Sequence, residues 1–313
     1  MILIVTERAD LTADWLVVEL ERRGAAFCRF NTEDYPTRVG IEWRVGGSVL
    51  TFENFSLALA DAESVWYRRP VPPTLPDNGD RQAAEWAIGE ANAALLGVWR
   101  SHDARWVNHP DKNKLAEAKQ EQLQRASKVG LSIPDSVVTN RPDVVREFLG
   151  RRAAICKPIW SGRIGRGVSE RLFFTSLVDL SAAQLELMGP EPYFFQELVP
   201  KEYDVRVTVI GDQVFAARID SQDSQDAKID WRRSRPGALA HSVEDLPPAL
   251  AQSCLDLCRS YGLQFGAIDL ARRPDGGYTF FEINPNGQWA WVEQRTGLPL
   301  RAALADLLIR EHE

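Results

Sequence analysis

The sequence predicts an α/β module of about 110 residues at the N-terminus, followed by an α+β half in which antiparallel strands dominate. Three observations carry this expectation. An apolar MILIV run leads directly into a capped, amphipathic LTADWLVVELERRG segment, strand then helix, with Gly24 placed to end the helix. In the second half EPYFFQELVP, DVRVTVIG and QVFAARID follow in close succession, the last two joined by Gly211-Asp212. Further on, a helical LAQSCLDLCRSYG stretch precedes GAIDLARR and GYTFFEIN, which Pro-Asp-Gly-Gly joins as a hairpin.

The remaining elements follow the same logic. IEWRV and SVLTF flank Gly46-Gly47, a hairpin turn, and SVWYRRP ends in the Pro-rich break VPPTLP. A helix from Arg81 to Ser101 carries Trp86, Leu95, Leu96 and Trp99. NHPDKNKLAEAKQEQLQRASKVG reads as a loop and then a helix ending at Gly130, SIPDSVVT as a short strand, VREFLG as a helix end, and RAAICKP as a buried strand. A Gly-rich loop, WSGRIGRGVSE, leads to a strand at RLFFTS, and LRAALADLLIR closes the chain as an amphipathic helix. The divisions expected are 1–110, 111–190 and 191–313.

Composition removes several function classes. With 44% hydrophobic and 26% charged residues the chain is an ordinary globular sequence. Its formal net charge of -7 argues against a mainly electrostatic grip on nucleic acid. MILIV is too short for a signal peptide, and no apolar run approaches membrane-spanning length. Cys254 and Cys258 stand at helical spacing in an apolar pattern, there is no CxxC pair, and only four His are present, so a zinc site is not expected. The reading is a soluble, reduced, cytoplasmic protein without a nucleic-acid or membrane partner.

Candidate chemistry gathers in the second half. Lys157 ends a buried strand beside SGRIGRG, whose Ser161, Gly162, Gly165 and Gly167 can offer amides to a polyphosphate, although Gly-rich hairpins are common. FFQELVP, with Gln196, Glu197, Leu198 and Val199, can present backbone groups to a flat adenine edge, or be an ordinary strand. Asp204 and Arg206 share a strand face; Arg206 can bridge phosphate oxygens, or form a structural pair with Asp204. In FFEINPNGQW, Glu282 and Asn284 fall on one face and Phe281 and Ile283 on the other. That pattern is either half of a hard-cation site or a polar strand edge before a turn. The hairpin through Pro274 to Gly277 brings Asp269 beside them, and the three oxygen ligands then suit Mg²⁺.

The order Lys119, Lys157 with its Gly-rich loop, QELVP, DVR, Asp269 and EIN resembles the ATP-grasp family over roughly residues 110 to 313. The resemblance implies ATP-driven activation of a carboxylate as an acyl phosphate, which a nucleophile then attacks. It places Lys119 and Lys157 on ATP phosphates, with Lys112 and Lys114 competing for the first role. It places Glu197 and Val199 at adenine, Asp204 at ribose, and Asp269, Glu282 and Asn284 on two magnesium ions. Arg206, Arg218 and Arg232 become candidates for neutralising the acyl phosphate, Asp223 or Asp230 for the base. The loop 161–167 is expected to close over ATP.

A narrower resemblance rests on WYRRP, VNHP and IDSQDSQDAKIDWRR, which are similar to ATP-grasp ligases that mature ribosomally made peptides of the microviridin or graspetide type. The MILIV module matches the pre-ATP-grasp domain of that group. This implies a precursor peptide with a leader segment, lactone or lactam cross-links between its side chains, and a homodimer. Arg68 and Arg69 receive no chemistry and suit a structural role at the domain junction. Two rivals share the same nucleotide site: a glutathione-synthetase-like or glutamate-adding ligase, and a nucleotide-binding regulatory protein without turnover.

Overall fold

The five residues of β1 (Ile2–Thr6) are all buried, which places this strand inside a sheet with both faces covered. The computed structural model describes residues 1–76, 79–160, 162–164, 171–235 and 237–310. Asp10 caps α1 (Leu11–Arg22), accepting the Thr12 and Ala13 amides, and Gly24 follows the helix end at a φ of +67°. β2 (Phe27–Asn31) returns parallel to β1. The hairpin expected at Gly46-Gly47 is β3 (Gly40–Arg44) and β4 (Gly47–Thr51), to which β5 (Ser56–Ala58) adds a third strand. Then come β6 (Ser64–Tyr67), α2 (Arg81–Arg100) and β7 (Arg105–Val107), completing a parallel sheet of order β2-β1-β6-β7.

The next stretch holds two helices where one was expected, α3 (Pro110–Leu115) and α4 (Lys119–Lys128). A four-stranded antiparallel sheet follows, built from β8 (Ser136–Thr139), β9 (Ala154–Lys157), β12 (Ser176–Leu177) and β13 (Tyr193–Glu197), in the order β12-β9-β13-β8. Helices α5 (Pro142–Leu149) and α6 (Ala182–Leu185) cover it, and β10 (Arg163–Ile164) pairs with β11 (Arg171–Leu172) as a short ribbon. A division at residue 190 would separate β13 from the two strands it bonds, so the sheet runs on to Glu197.

The last sheet has five antiparallel strands: β14 (Tyr203–Ile210), β15 (Gln213–Ile219), β16 (His241–Val243), β17 (Phe265–Arg272) and β18 (Tyr278–Asn284), in the order β16-β15-β14-β17-β18. On one face α4 and α7 (Pro248–Tyr261) press Leu123, Ala126, Leu257 and Cys258 onto Val205, Val207, Ile268 and Ile283. Cys254 and Cys258 are fully buried there as core residues. The packing is close enough to require glycine at 266, since a Cβ would sit 2.7 Å from Cys258 Sγ. After α8 (Ala290–Thr296), the final helix α9 (Leu300–Ile309) lies on the N-terminal sheet, with Leu300, Leu304 and Leu308 in one core with Ile2, Ile4, Leu16 and Leu20. Among the described residues no helix is long and apolar enough to cross a membrane.

A second stitch joins the first and last units. Asn108 is 1% exposed and donates to the Phe265 and Pro285 carbonyls at 2.9 and 3.0 Å, while its oxygen accepts the Gln264 and Phe265 amides at 2.7 and 2.9 Å. All four of its hydrogen-bonding positions are used. Asn108→Ala strands these buried backbone groups, and chemical denaturation should show a loss of about 2–4 kcal/mol of stability.

Candidate active site

The register of the last sheet puts Asp269 directly opposite Glu282 and Arg206 directly opposite Asp269. Asn284 lies two residues along β18 from Glu282, on an exposed strand end. The pairing shifts between Asp269 and Leu270: Leu270 faces Phe280, Asp269 faces Glu282, and Phe281 is the extra residue of a β-bulge. Strict alternation fails at that point. Phe281 does not take the face opposite Glu282 as expected; it lines the same cleft as Glu282, while Phe280 and Ile283 enter the core.

Two carboxylates side by side need cations. Arg206 Nε lies 3.0 Å from Asp269 Oδ1, but the N–H is not aligned on it, and both atoms are buried without a hydrogen-bond partner. Arg232 Nη1 reaches Glu282 at 3.4 Å and Lys119 Nζ reaches it at 3.6 Å. Burial, reinforced by Glu282, raises the affinity of Asp269 for a proton against the pull of Arg206. Burial also opposes charge on Glu282, but Arg232, Lys119 and Lys157 together outweigh it and hold this carboxyl well below the usual range. One carboxylate is thus firmly ionised beside another with an unpartnered oxygen. The two carboxylates suit a hard cation that takes its remaining ligands from phosphate and water; Asn284 Oδ1, two residues along, accepts the Asn286 amide at 2.9 Å and has one lone pair left to offer.

Next to the pair runs a cleft between the two antiparallel sheets, lined by Lys157, Gln196 to Val199, Lys201, Asp204, Asp230, Trp231, Arg232, Asp269, Phe281 and Glu282. The nucleotide candidates therefore converge. Gln196 is fully buried; its Nε2 donates to Ser136 Oγ at 3.0 Å while Oε1 has no partner. Sheet bonds consume the Glu197 and Leu198 amides, which donate to Asp135 and Ala153 at 2.8 and 2.9 Å. Asp204 is buried, and Lys201 Nζ spans both its oxygens at 2.9 and 2.7 Å, a partner that sequence reading missed although it stands one helical turn's spacing upstream. Lys157 Nζ sits over the Phe194 ring at 5.1 Å, and burial drops its pKa to about 8 despite the pull of Glu282.

The structure sorts the remaining candidates. Lys119 is the lysine at the carboxylates; Lys114 pairs with Glu117 at 2.9 Å and Lys112 lies against Gly262. Arg218 does not join the site. It pairs across the sheet with Val205, on the face opposite Asp204 and Arg206, and stacks 4.0 Å over the Tyr203 ring. Asp223 is exposed on a short turn outside the cleft. Asp230 is in the cleft but is poorly suited to be a base. Its two oxygens receive Arg232 Nε and Nη2, each at 2.8 Å, and the Thr175 amide at 3.3 Å, and Arg232 overcomes burial to hold it ionised. Gly162 is half-buried, with its carbonyl accepting the Phe173 amide at 2.7 Å. Ser161, Gly165 and Gly167 lie outside the described residues, as does most of the expected lid.

Residues 1–114 match the family model of the MvdD pre-ATP-grasp domain. The whole fold superposes on macrocyclase MdnC of Microcystis aeruginosa MRC, solved with its precursor peptide MdnA, with a TM-score of 0.87 and 32% identity over 99% of both chains. This chain belongs to the ATP-grasp ligases that carry an MvdD-type domain. A Chryseobacterium gregarium RiPP-associated ATP-grasp ligase, solved with ADP and a leader and core peptide, is 30% identical with a TM-score of 0.90 over 98% of this ligase and 96% of that one. Zebrafish (Danio rerio) beta-citrylglutamate synthase B is 23% identical over 235 residues, 73% of this chain but only 56% of that protein.

In this ATP-grasp ligase the three short motifs of the sequence have visible physical work. From WYRRP, Arg68 is 1% exposed, pairs with Asp10 at 3.6 Å, and donates to the Asn286 carbonyl and, at 2.7 Å, to Gln288 Oε1. From VNHP, Asn108 holds the Pro285 carbonyl. Both grip the loop that follows Asn284, where a Cβ at Gly287 would sit 2.2 Å from Ala267 Cβ. From DWRR, Asp230 fixes Arg232, and Trp231 with Trp291 stacks on the Arg206 guanidinium at 5.7 and 5.9 Å.

The Lys157 shift has a definite sign. Above pH 8 the folded amine is neutral while an unfolded lysine stays charged to about pH 10.4. The unfolded chain then holds more protons, so the cost of burying this charge is relieved as pH rises through that window. Any attraction of this amine for an anion in the cleft weakens over the same window. The KM for ATP should rise above about pH 8 in the wild type, and stay flat there in Lys157→Arg, measured as ADP release between neutral pH and that window's upper end.

Proposed function

We propose that this ligase uses ATP to activate Asp or Glu side chains of a ribosomally made precursor peptide and joins them to side-chain hydroxyls or amines, giving macrolactone or macrolactam cross-links. One observation carries the reading. The nucleotide cleft opens at Trp231, Arg232, Asp269 and Glu282 into a second, wider cleft bounded by Arg69, Lys114, Trp160, Arg235, Trp291 and Arg295. The Asp269–Glu282 carboxylate pair is part of the shared wall. A phosphate on one side and an extended peptide on the other would meet there.

In this proposal Lys119 and Lys157 hold the ATP phosphates, Gln196 to Val199 frame the adenine, and Asp204 faces the ribose. Asp269, Glu282 and Asn284 would hold Mg²⁺, which when bound neutralises phosphate charge and orients the transferred group. A peptide carboxylate oxygen attacks the γ-phosphorus and ADP departs. Arg232, at the junction of the clefts, and Arg206, on the wall of the wider one, stabilise the charge that develops on the acyl phosphate. A hydroxyl or amine then attacks the acyl carbon, and phosphate leaves with the proton, for which its dianion is basic enough. Trp160 and Gly162 line the wider cleft, where closure would exclude water. A leader segment on the peptide and a homodimeric state complete the proposal.

The test is mass spectrometry of a candidate precursor peptide incubated with enzyme, ATP and Mg²⁺. Loss of one water per ring, with one ADP released for each, is the expected outcome. An unchanged peptide, with ADP released on adding free amino acids, would instead establish the small-molecule ligase; no ADP under either condition would leave a binder without turnover. Glu282→Ala should keep the fold, by circular dichroism, and lower ADP release by about 10²-fold or more, the scale of losing one preorganised electrostatic partner of a transition state.

A further inference from the structure

Glu282 and Asn284 stand on β18, the outermost strand of its sheet. An outermost strand leaves the N–H and C=O of alternate residues without a neighbouring strand to bond. At Ile283, between the two side chains, one residue fills that place. Gln122 on α4 accepts the Ile283 N–H through Oε1 at 3.1 Å and donates from Nε2 to the Ile283 carbonyl at 2.9 Å. Its amide supplies the donor and acceptor that a sixth strand would have supplied. The same nitrogen donates to the Ala116 carbonyl at 2.6 Å, which anchors the side chain to the turn before α4. Gln122 is 3% exposed and Ile283 is 2% exposed, so water cannot take over these bonds.

Three residues earlier on the same helix, Lys119 reaches Glu282. One helix therefore delivers both a counter-charge to the Glu282 carboxylate and a grip on the backbone that aims it. A side chain held only by its own χ angles on a free edge would sample several orientations; fixing the next peptide unit removes backbone rocking from that freedom.

We infer that Gln122 is a positioning residue for the metal-binding face: by clamping the peptide units on both sides of Ile283 it sets the directions of Glu282 and Asn284. This rests on the Mg²⁺ role proposed above. No contact of Gln122 with nucleotide or peptide is involved.

The test uses the full-length protein and Gln122→Met, which keeps the side-chain length and apolar packing but removes the donor and acceptor. Mn²⁺ is titrated into the protein with ADP and followed by electron paramagnetic resonance, beside thermal unfolding. The expected result is Mn²⁺ affinity weakened by roughly tenfold or more, together with a higher Mg²⁺ requirement for ADP release. A lowered melting temperature with unchanged Mn²⁺ affinity would make Gln122 a merely structural residue and overturn the inference. A second measurement needs no variant: the wild-type Ile283 amide should exchange with deuterium as slowly as its cross-strand neighbour Ile268, and exchange at the rate of an open strand edge would overturn the clamp. If wild type with ADP binds no Mn²⁺, the metal role itself fails, an outcome separate from a shared affinity of wild type and variant.

Discussion

Two carboxylates held side by side on adjacent strands are the constraint around which this molecule is arranged. Asp269 and Glu282 face one another across a β-ladder, where opposed side chains lie about 5 Å apart. Like charges at that distance in a partly buried place repel strongly. The fold answers with cations from four separate segments: Lys119 from a helix start, Lys157 from the end of β9, Arg206 from β14 and Arg232 from the DWRR turn. None of these segments is near another in sequence, so the site exists only when all layers have assembled. The pair still keeps an unpartnered oxygen on Asp269. That oxygen lies 3.0 Å from Arg206 Nε, in an ion pair that lacks hydrogen-bond alignment.

The N-terminal module contributes to this arrangement indirectly. Its residues line the wider cleft, not the narrow one between the two antiparallel sheets. It reaches the chemistry through Arg68 and Asn108, which hold the loop immediately after Asn284, and through α1, whose apolar face shares a core with α9. Arg68 is held by Asp10, which also caps α1. The junction therefore has a definite physical content: a helix cap, a buried guanidinium and a loop carbonyl in series. Removing such a guanidinium would leave the Asn286 carbonyl without this donor and Asp10 without its counter-charge in a dry place, its oxygens held only by Thr6 and the α1 amides.

Several polar side chains of the chain are spent on backbone groups. Gln122 and Asn108 are amides, able to donate and accept at once, and each sits where a loop or edge strand has peptide groups that no neighbouring strand reaches. Apolar packing alone could bury those segments but could not satisfy them. In the narrow cleft Lys201 bridges both Asp204 oxygens and Gln196 Oε1 has no hydrogen-bond partner.

What the sequence determined by itself is local. Hydrophobic period and Gly or Pro punctuation were enough for β1, α1, the hairpin at Gly46-Gly47, α7 and the β17–β18 pair, because each is encoded in a contiguous run. β2, β7 and β16 were not legible: FCRFN, RWV and HSV are short, and FCRFN and HSV are half polar and gain strand geometry only from a neighbour. Alternation placed Glu282 and Asn284 together on one face, and the i, i+2 spacing placed Asp204 with Arg206. The bulge that turned Phe281 toward the cleft left no mark in the string FFEIN, since it is a property of pairing with β17. For the same reason Arg218 and Asp223 passed as candidates by proximity in sequence, yet sheet register sent one to the opposite face and a surface turn removed the other. Residue types and their local order were written in the chain; which side chains meet was decided by register, bulge and packing, because those depend on partners distant in sequence.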